Sequence, residues 1–600
     1  MPRIETRTPR YQPPSGKRSP IKQQCAPKHR FRLLLVWGVL FVGVVGLAVN
    51  LYRLQIQQGP LLLQKARQQQ TVYLRPFIPR RPIIDRNGNI LAIDQPVYTL
   101  YAHPRLFKTS KQATAQQLAP ILNRSQVDLL KQLQTRDSGI KLAADLPDAI
   151  ASQISKLHIN GLELTQHYSR LYPQQDLSAD VVGYVDSNRR GQAGVEYSQE
   201  KFLERSPQAL QLSQTGVGAL LPDLAPPELL QFDELRLALT LDSKLQQIAQ
   251  YSLKQQLQKF GAKSGTVIVM DSQDGGILAM VSEPSYDPNK YYQADLKLFQ
   301  NWAVSELYEP GSTFKPLNVA IALEAGAIKP STQFEDSGQI KVGGWTIRNA
   351  EGEHHGLLNI SQILQYSSNI GMVQVMQQMK PADYYNWLRR LGLGQTLVTD
   401  LPFEAKSHLV SRQQFLSYPI QPATAAFGQG LSLTPLQLVQ LHGALANGGK
   451  LIAPHLVQGL VDSKGKLYWQ PTLPKPQQIF SPSTTQTVVE MMEKVVQVGT
   501  GQPAQIPGYR IAGKTGTAQK ASSHGGGYSN AQIVSFIGII PVESPRYVVL
   551  AVADEPEGNV FGATVAAPIV KSVMEALVTS EGIAPTQPIV PKTPSPEAKT

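Results

Sequence analysis

The longest uninterrupted apolar stretch lies near the start of the chain. Leu33–Val49 is a run of seventeen residues without a charged or strongly polar side chain, and Asn50–Tyr52 extend it. About 20 helical residues span a hydrocarbon core of roughly 30 Å, so this run is long enough for a transmembrane helix. A cleaved secretory signal is the alternative, but its apolar region is usually shorter, and no small-residue cleavage site follows Val49. We therefore expect a transmembrane helix at residues 32–53.

From about residue 236 the apolar positions follow the periods of strands and helices in turn. Asp242 precedes a helical pattern that continues to Leu257 and ends at Gly261. Apolar runs at 266–271 and 276–281 flank an Asp-Gly turn and predict two paired strands. Runs at 533–541 and 547–553 predict a second pair, followed by a helix with one apolar face (Ile569, Val570, Val573, Met574 and Leu577). Strand pairs at both ends of a region with a helical middle indicate a mainly antiparallel sheet sandwiched by helices, an α+β fold.

The region between the apolar run and residue 236 has a mixed pattern. Asn87-Gly88 stands between apolar runs in Arg81–Ala92, which predicts a β-hairpin, and Ala225–Pro227 indicates a hinge. Both ends of the chain are rich in Pro and polar residues. The expected organisation is a disordered basic tail at 1–31, the transmembrane helix at 32–53, a mixed α/β pedestal domain at 54–235, an α+β domain at 236–580 and a disordered Pro-rich tail at 581–600.

The charge of the chain is concentrated before the apolar run. The formal net charge is +13, and residues 1–32 hold nine Lys or Arg against the single Glu5, a net +8. The net positive charge of the residues after 32 is small and dispersed, which does not suit the binding of a row of phosphates. We therefore expect no nucleic-acid partner. Positive residues stay on the cytoplasmic side, which places the first 32 residues in the cytoplasm and the rest outside the cytoplasmic membrane. The only cysteine, Cys25, is then on the reducing side, and the exported part cannot use disulfides, cysteine-ligated zinc or cysteine catalysis.

The first motif with chemical meaning is Ser312-Thr313-Phe314-Lys315, after a Pro-Gly turn and before an apolar helix. Ser312 and Lys315 are one helical turn apart and lie on the same face. A serine hydroxyl becomes a good nucleophile when a nearby base accepts its proton, and a lysine is such a base if burial lowers its pKa. The spacing alone is weak evidence, because Ser-x-x-Lys also occurs at Ser19, Ser138, Ser198 and Ser463.

Two further motifs follow in the chain. Ser367-Ser368-Asn369 comes after a helical run and offers a hydroxyl and an amide to one cleft, although Ser and Asn are also the usual helix-capping residues. Lys514-Thr515-Gly516-Thr517 lies on a predicted strand, where a cation and hydroxyls can hold a carboxylate and glycine lets two backbones approach. His354-His355 has no cysteine nearby and is interpreted as structural or cleft-lining, so no metal site is expected.

The order of the three motifs is far more specific than any one of them. Ser-x-x-Lys, then Ser-x-Asn 55 residues on, then Lys-Thr-Gly 147 residues later is the order of the serine penicillin-recognising enzymes. Around the motifs, Tyr308–Lys315 and Gly430–Gln437 resemble class B penicillin-binding proteins, and the similarity extends from Arg32 to about Val578. The segments Arg81–Ala92 and Arg170–Pro173 are similar to the pedestal of that family, with Pro82 where the family often has Gly.

The resemblance implies a peptidoglycan D,D-transpeptidase that needs no metal or organic cofactor. It implies that Ser312 attacks the D-Ala-D-Ala carbonyl with Lys315 as general base, that Ser367 passes protons, and that Asn369 orients Lys315 and the substrate amide. It further implies that Lys514, Thr515 and Thr517 hold the terminal carboxylate beside Gly516, and that the backbone N–H groups of Ser312 and Thr517 bind the oxyanion. Donor stem peptides and β-lactams are the implied ligands.

The same resemblance also implies which proteins the enzyme works with and which cellular process it serves. The chain shows no glycosyltransferase signature before residue 235, so a membrane-embedded glycan polymerase of the FtsW type is the expected partner, with other division proteins and the lipid bilayer. The compact pedestal resembles the division (FtsI-like) type, and an elongation-type enzyme is the alternative. A serine β-lactamase is disfavoured, because a hydrolase of a diffusible drug needs neither the anchor nor the pedestal. A lactam sensor is disfavoured, because the short basic tail offers no cytoplasmic signalling domain.

Overall fold

The computed structural model describes residues 27–62, 65, 71–74, 78–205, 210–213, 233–521, 527–558 and 560–588. They fall into two compact units, of which the first comprises residues 1–76 and 207–231 and the second comprises 77–206 and 232–600. The predicted basic tail before residue 27, the predicted hinge at Ala225–Pro227 and the tail beyond residue 588 lie outside the described residues.

The described residues of the N-terminal half form the first six strands and seven α-helices. The strands are β1 (Thr71–Leu74), β2 (Ile83–Ile84), β3 (Ile90–Ala102), β4 (Ile140–Leu146), β5 (Leu162–Leu171) and β6 (Leu210–Ser213). The helices are α1 (Pro27–Tyr52), α2 (Lys111–Leu122), α3 (Gln126–Leu133), α4 (Asp148–Ser155), α5 (Ala179–Val182), α6 (Gly194–Ser198) and α7 (Glu200–Leu203).

The C-terminal half supplies the remaining strands and helices. The strands are β7 (Arg236–Leu239), β8 (Ser264–Asp271), β9 (Ile277–Glu283), β10 (Gln333–Asp336), β11 (Gln339–Val342), β12 (Trp345–Arg348), β13 (Gly356–Asn359), β14 (His408–Leu409), β15 (Leu431–Ser432), β16 (Lys450–Leu451), β17 (Val457–Val461), β18 (Leu467–Trp469), β19 (Gln477–Gln478), β20 (Ala512–Ala521), β21 (Tyr528–Ile540) and β22 (Tyr547–Asp554). The helices are α8 (Ser243–Lys259), α9 (Trp302–Ser305), α10 (Lys315–Glu324), α11 (Ile360–Gln365), α12 (Asn369–Gln377), α13 (Pro381–Arg390), α14 (Arg412–Ser417), α15 (Ile420–Ala425), α16 (Pro435–Ala446), α17 (Pro482–Val498) and α18 (Gly562–Ser580).

The first unit contains the apolar helix and one small strand pair. Residues 31–57 are helical, the most apolar 18-residue window among them has a mean hydropathy of 2.4, and their side chains are exposed, which is consistent with a single membrane anchor. Strand β1 pairs antiparallel with β6, with Thr71 opposite Ser213. A second helix of sufficient length and hydropathy, α18, is largely buried inside the second unit and is a core helix.

The centre of the C-terminal half is a five-stranded antiparallel sheet in the order β20-β21-β22-β8-β9. Strands β8, β9 and β22 are buried along almost their whole length, because helices cover both faces. Helices α8 and α18 pack on one face, and α16 packs on the other. The two predicted strand pairs and the predicted apolar face of the last helix are confirmed, and Asp242 caps α8 by accepting from the backbone N–H groups of Lys244 and Leu245.

The pedestal is joined to the C-terminal half through a shared sheet. The predicted hairpin is confirmed as β2 and β3, and β2 also pairs in parallel with β7, with Ile83 opposite Leu237. Strands β17 and β18 continue the same sheet beyond β7. Because one sheet contains strands from both halves, the pedestal and the C-terminal half share backbone hydrogen bonds in addition to side-chain packing.

A buried ion network fixes the pedestal end of that sheet. The Arg170 guanidinium pairs with Asp94 at 3.0 Å and with Glu196 at 2.6 Å, and all three side chains are 1% exposed or less. Arg80 also pairs with Glu196, at 2.9 Å, and with Glu200 on α7. Removal of one partner from such a network leaves a buried charge uncompensated and typically costs about 3–5 kcal/mol, so the network locks β3 to β5 and to α6.

As far as residue 588, where the described part of the chain ends, the segment after α18 remains in contact with the rest of the C-terminal half. The Tyr509 hydroxyl donates to the carbonyl of Ile583 at 3.0 Å, and the N–H of Thr586 donates to the carbonyl of Gly508 at 2.9 Å. Residues 581–588 of the segment predicted as a tail therefore make specific hydrogen bonds.

Candidate active site

The first motif forms the entrance to a buried helix. Residues Gly311–Phe314 form a 3₁₀ turn that continues directly into α10, which begins at Lys315. Pro316 stands in the first turn of α10, where its missing N–H removes no helical hydrogen bond. The Ser312 side chain is partly exposed to the cleft, whereas Lys315 is completely buried. The turn thus places a hydroxyl at the surface and an amine directly beneath it.

The second motif is the turn between α11 and α12, as its residue types predict. The capping residue is Ser368, whose hydroxyl accepts from the N–H of Gly371 at 2.8 Å. This leaves Ser367 and Asn369 free of the cap, and both side chains are directed to the first motif. Ser367 has φ of +57°, a left-handed conformation that is uncommon for serine. In this conformation its carbonyl accepts a hydrogen bond of 2.5 Å from Lys315 Nζ.

The third motif lies on β20, the edge strand of the five-stranded sheet. Lys514 is fully buried and Thr515 is nearly so, while Thr517 is partly exposed. Gly516 is the point at which the strand meets the first motif. A Cβ atom there would lie 2.4 Å from Ser535 Oγ and 2.9 Å from Thr313 Cγ2, so a larger residue would push β20 away from the nucleophile turn.

The hydroxyl of Ser367 connects the three motifs. Ser367 Oγ donates to Ser312 Oγ at 3.0 Å. The same oxygen accepts from Lys514 Nζ at 2.9 Å and from Lys315 Nζ at 3.2 Å. Asn369 Oδ1 accepts a further hydrogen bond from Lys315 Nζ at 2.8 Å. Five side chains predicted from sequence therefore converge on one point, although the motifs are separated by 55 and 147 residues.

The two lysines occupy an environment that disfavours positive charge. Burial, together with the neighbouring Lys514 ammonium, lowers the pKa of Lys315 well below its ordinary value, and the negative charge of Asp336 offsets only part of this effect. Burial lowers the pKa of Lys514 to about 7. A neutral Lys315 beside a charged Lys514 is the arrangement in which Lys315 can accept a proton and Lys514 can attract an anion.

A buried chain of amides holds the second motif in position, and sequence reasoning did not find it. The side chain of Asn349 donates to both carboxylate oxygens of Asp336 at 2.8 and 2.9 Å. Its own oxygen accepts from the N–H of Asn369 at 2.8 Å, and Asn369 Nδ2 donates to the carbonyl of Arg348 at 3.0 Å. Asp336 and Asn349 belong to no recognisable motif, so the sequence carries no signal for this support.

Thr500 is a second residue that motif reasoning left outside the site. Its hydroxyl lies 3.1 Å from the Thr515 hydroxyl, and both side chains face the cleft. The segment around Thr500 follows α17, which packs against β20. Thr500 thus extends the row of hydroxyl groups that accompanies Lys514.

The motifs line a cleft of about 1010 Å³. Its walls include aromatic and polar side chains from β12, the α11–α12 turn and β21, among them Trp345, Tyr366 and Tyr528. Within the part of the chain that the structure describes, no group of three His, Cys, Asp or Glu side chains is arranged to hold a metal ion. His355 stacks on Tyr366 with ring centroids 4.5 Å apart, so it is a cleft-side packing residue.

Comparison with known proteins gives matches along most of the chain. Residues 265–575 match the family model described as the penicillin binding protein transpeptidase domain, and residues 78–214 match the penicillin-binding protein dimerisation domain. A protein of Mesostigma viride named peptidoglycan D,D-transpeptidase FtsI homolog is 43% identical over 93% of this chain and 97% of that protein. Stage V sporulation protein D of Bacillus subtilis is 32% identical over 93% of this chain and 86% of that protein. The crystal structure of penicillin-binding protein 3 of Mycobacterium tuberculosis with aztreonam aligns with a TM-score of 0.65 and 26% identity, over 85% of this chain and 98% of that chain.

The burial of Lys514 predicts a specific dependence of stability on pH. Its pKa falls from 10.5 in the unfolded chain to about 7 in the folded protein, so the folded state binds fewer protons between these values. The unfolding free energy should therefore rise by up to about 1.4 kcal/mol per pH unit as pH increases from about 7 to 10. Below pH 7 both states are protonated, and the cost of burying the charge is fully present.

Lys514→Met should remove this dependence. We expect the variant to melt at a higher temperature than wild type near pH 7, and we expect the difference to shrink towards pH 10. The check is the melting temperature of both proteins across this pH range, with Lys341→Met as the matched control, because Lys341 is exposed. If the melting temperatures of wild type and Lys514→Met change with pH in the same way, Lys514 does not titrate at a lowered pKa.

Proposed function

The chain belongs to the class B penicillin-binding protein transpeptidases, and we propose that it cross-links peptidoglycan stem peptides through an acyl-enzyme on Ser312. The observation that carries the proposal is the convergence of Ser312, Lys315 and Lys514 on the single hydroxyl of Ser367, in a cleft open to solvent. The FtsI homolog name of a relative that covers nearly the whole chain supports a role in cell division.

In the first half-reaction the donor peptide binds through its terminal carboxylate. Lys514, with its ammonium fixed beside Ser367, provides the positive charge, and the hydroxyls of Thr515 and Thr517 line the same cleft. A carboxylate next to a buried cation gains a charge-assisted hydrogen bond and relieves the unfavourable isolation of that cation. This end of the cleft therefore selects substrates, and β-lactams, that end in a carboxylate.

The acylation step follows from the positions of the hydroxyls. Ser312 Oγ attacks the carbonyl carbon of the penultimate D-Ala while its proton passes through the Ser367 hydroxyl to the neutral Lys315 amine. Both serine hydroxyls rotate freely, so the bond that Ser367 donates to Ser312 can be reversed for this transfer. The carbonyl oxygen becomes an oxyanion, which we assign to the backbone N–H groups of Ser312 and Thr517, and loss of one such donor costs about 3–4 kcal/mol in comparable enzymes. The peptide C–N bond then breaks, and the departing D-Ala nitrogen takes the proton.

In the second half-reaction an amine of another stem peptide attacks the acyl-enzyme. The new amide bond is the cross-link, and Ser312 recovers its proton through Ser367. Asn369 contributes by holding Lys315 in place and by presenting its amide near the substrate. None of these steps uses a metal or an organic cofactor.

We also propose that the apolar helix α1 anchors the enzyme in the cytoplasmic membrane, with the catalytic domain outside. The exposed apolar side chains of α1 and the basic residues before it support this orientation. A membrane-embedded glycan polymerase of the FtsW type is the partner that would supply the glycan strands. The dimerisation-domain match supports contacts with other proteins of the division machinery.

The acyl-enzyme proposal is tested with the full-length protein in detergent. Benzylpenicillin should give a one-to-one adduct that persists for hours, because the acyl-enzyme deacylates slowly in water. Ser312→Ala should abolish the adduct without loss of folding, since Ser312 is at the surface of the cleft. Intact-protein mass spectrometry measures the adduct in wild type and in Ser312→Ala. Rapid loss of the adduct with drug turnover would indicate a lactam hydrolase, and no adduct from folded protein would refute the proposed active site.

The proposed orientation is tested with the only cysteine. Cys25 precedes α1 and should be cytoplasmic, so a membrane-impermeant maleimide should label it in lysed cells and not in intact spheroplasts. The matched control is Cys25→Ser with Ser138→Cys, which places a single thiol in the pedestal and should be labelled in intact spheroplasts. Labelling of Cys25 in intact spheroplasts would contradict the orientation.

A further inference from the structure

A serine, a histidine and a glutamate meet at one edge of the pedestal sheet. Strand β3 pairs with both β4 and β5, and His103 directly follows β3. Ser138 stands just before β4, and Glu163 lies near the start of β5. His103 Nδ1 lies 2.8 Å from Ser138 Oγ, and His103 Nε2 lies 2.9 Å from Glu163 Oε2. The end of the middle strand therefore supplies an imidazole that bridges a hydroxyl and a carboxylate from its two neighbours.

A backbone group decides which imidazole nitrogen is the acceptor. The N–H of Gly139 donates to His103 Nδ1 at 3.2 Å. Because a backbone N–H only donates, Nδ1 carries the lone pair and Nε2 carries the hydrogen. The Ser138 hydroxyl then donates to Nδ1, and Nε2–H donates to Glu163. In this arrangement a histidine is the general base for a serine, and a carboxylate orients the ring and stabilises its protonated form.

The serine of this row is open to a substrate. Ser138 is exposed, and His103 is 23% exposed. A Cβ atom at Gly139 would meet no other atom within 4 Å, so there is free space beside the hydroxyl. The backbone N–H of Ser138 makes no hydrogen bond with any described residue, which leaves it available to a developing oxyanion. Lys141 makes no described hydrogen bond to Ser138, so the base here is the histidine and not the lysine of the Ser-x-x-Lys spacing.

We propose that Ser138, His103 and Glu163 form a second nucleophilic site, which hydrolyses small carboxylic esters at the surface of the pedestal. Ser138 is the nucleophile, His103 is the general base, and Glu163 is a positioning residue that acts through the imidazole. Leu106 is exposed in the short turn after His103 and offers apolar surface to an acyl chain. An open surface buries little of a ligand, so the site suits a short, uncharged ester. The proposal does not rest on the transpeptidase function, because none of these residues lines the cleft.

The hydrolysis balances with water as the only second reactant. Ser138 Oγ attacks the carbonyl carbon while its proton passes to His103 Nδ1, and the N–H of Gly139 loses its acceptor and becomes free to donate to the oxyanion. The ester C–O bond then breaks, and the leaving alcohol takes the proton from Nδ1. Water attacks the acyl-serine in the same way, so the acid is released and Ser138 recovers its proton.

The test measures the reactivity of Ser138 with a fluorophosphonate probe. The full-length protein in detergent carries Ser312→Ala, so that Ser312 cannot react with the probe. The Ser138 oxygen displaces fluoride from phosphorus, and peptide mass spectrometry gives the labelling rate of each serine. Ser138 should react about 100-fold faster than Ser155, because a positioned general base typically gives at least this acceleration. Ser155 is the matched reference, because it is an exposed serine of the pedestal whose hydroxyl has no described hydrogen bond.

Variants separate the base from the carboxylate that positions it. His103→Gln should slow the labelling of Ser138 about 100-fold. Glu163→Gln keeps an acceptor oxygen and loses the charge, and it should slow labelling about fivefold, because a carboxylate that is 61% exposed is screened by water. Both variants should keep the melting temperature of the parent, since their side chains are at the surface. Ser155→Ala should label at Ser138 as the parent does.

Hydrolysis of p-nitrophenyl butyrate measures the complete reaction in the same proteins. The parent should release p-nitrophenol catalytically, and Ser138→Ala should abolish this release. Labelling of Ser138 no faster than that of Ser155 would overturn the proposal, as would a rate in His103→Gln within twofold of the parent. Hydrolysis that persists in folded Ser138→Ala would overturn the assignment of esterase activity to this site.

Discussion

The site depends on one hydroxyl shared by two buried lysines. Ser367 Oγ lies 3.2 Å from Lys315 Nζ and 2.9 Å from Lys514 Nζ, and both lysines are completely buried. Burial lowers the pKa of both lysines, and the nearby Lys514 ammonium lowers the pKa of Lys315 further, so Lys315 is held neutral. The neutral amine is the base, and the remaining cation is the carboxylate anchor. Catalytic competence and substrate recognition thus have the same physical origin.

The fold serves to hold these groups together at that distance. Lys514 is fixed on a strand of a sheet whose neighbouring strands are buried on both faces, and Lys315 begins a helix that is buried along most of its length. Ser367 is fixed by a left-handed turn and by the chain of hydrogen bonds from Asn369 through Asn349 to Asp336. A movement of any of the three segments that admitted water to the lysines would weaken the burial that lowers their pKa values and would remove the base.

Sequence reasoning predicted the parts of this arrangement that are local. The strand pairs, the helix after Asp242 and the hairpin at Asn87-Gly88 follow from periodicity and turn residues, and the spacing of the three motifs identified the five converging side chains. The contacts that sequence reasoning missed join residues far apart in the chain. Asp336, Asn349 and Thr500 act through contacts that only the folded chain brings together, and the parallel pairing of β2 with β7 joins segments about 150 residues apart in a way that no periodic pattern encodes.

The pattern in Ser367–Asn369 shows how the structure decides between two interpretations of the same residues. Both helix capping and catalysis are expected uses of Ser and Asn at a helix start. The structure separates them by position, because Ser368 caps α12 while its two neighbours face Lys315. One turn therefore begins a helix and supplies a catalytic hydroxyl, which explains why residue type alone could not assign the roles.

The central claim is that Lys315 is a neutral amine in the resting enzyme. Its charge state is measured directly by the ¹³Cε and ¹⁵Nζ chemical shifts of isotopically labelled lysine in the full-length protein in detergent micelles, with the signal assigned through Lys315→Arg. The account predicts neutral-amine shifts at pH 7.5 and a titration midpoint well below the ordinary lysine value of about 10.4. Ammonium shifts for Lys315 that persist to about pH 10 would contradict it, because the base required for acylation would then be absent.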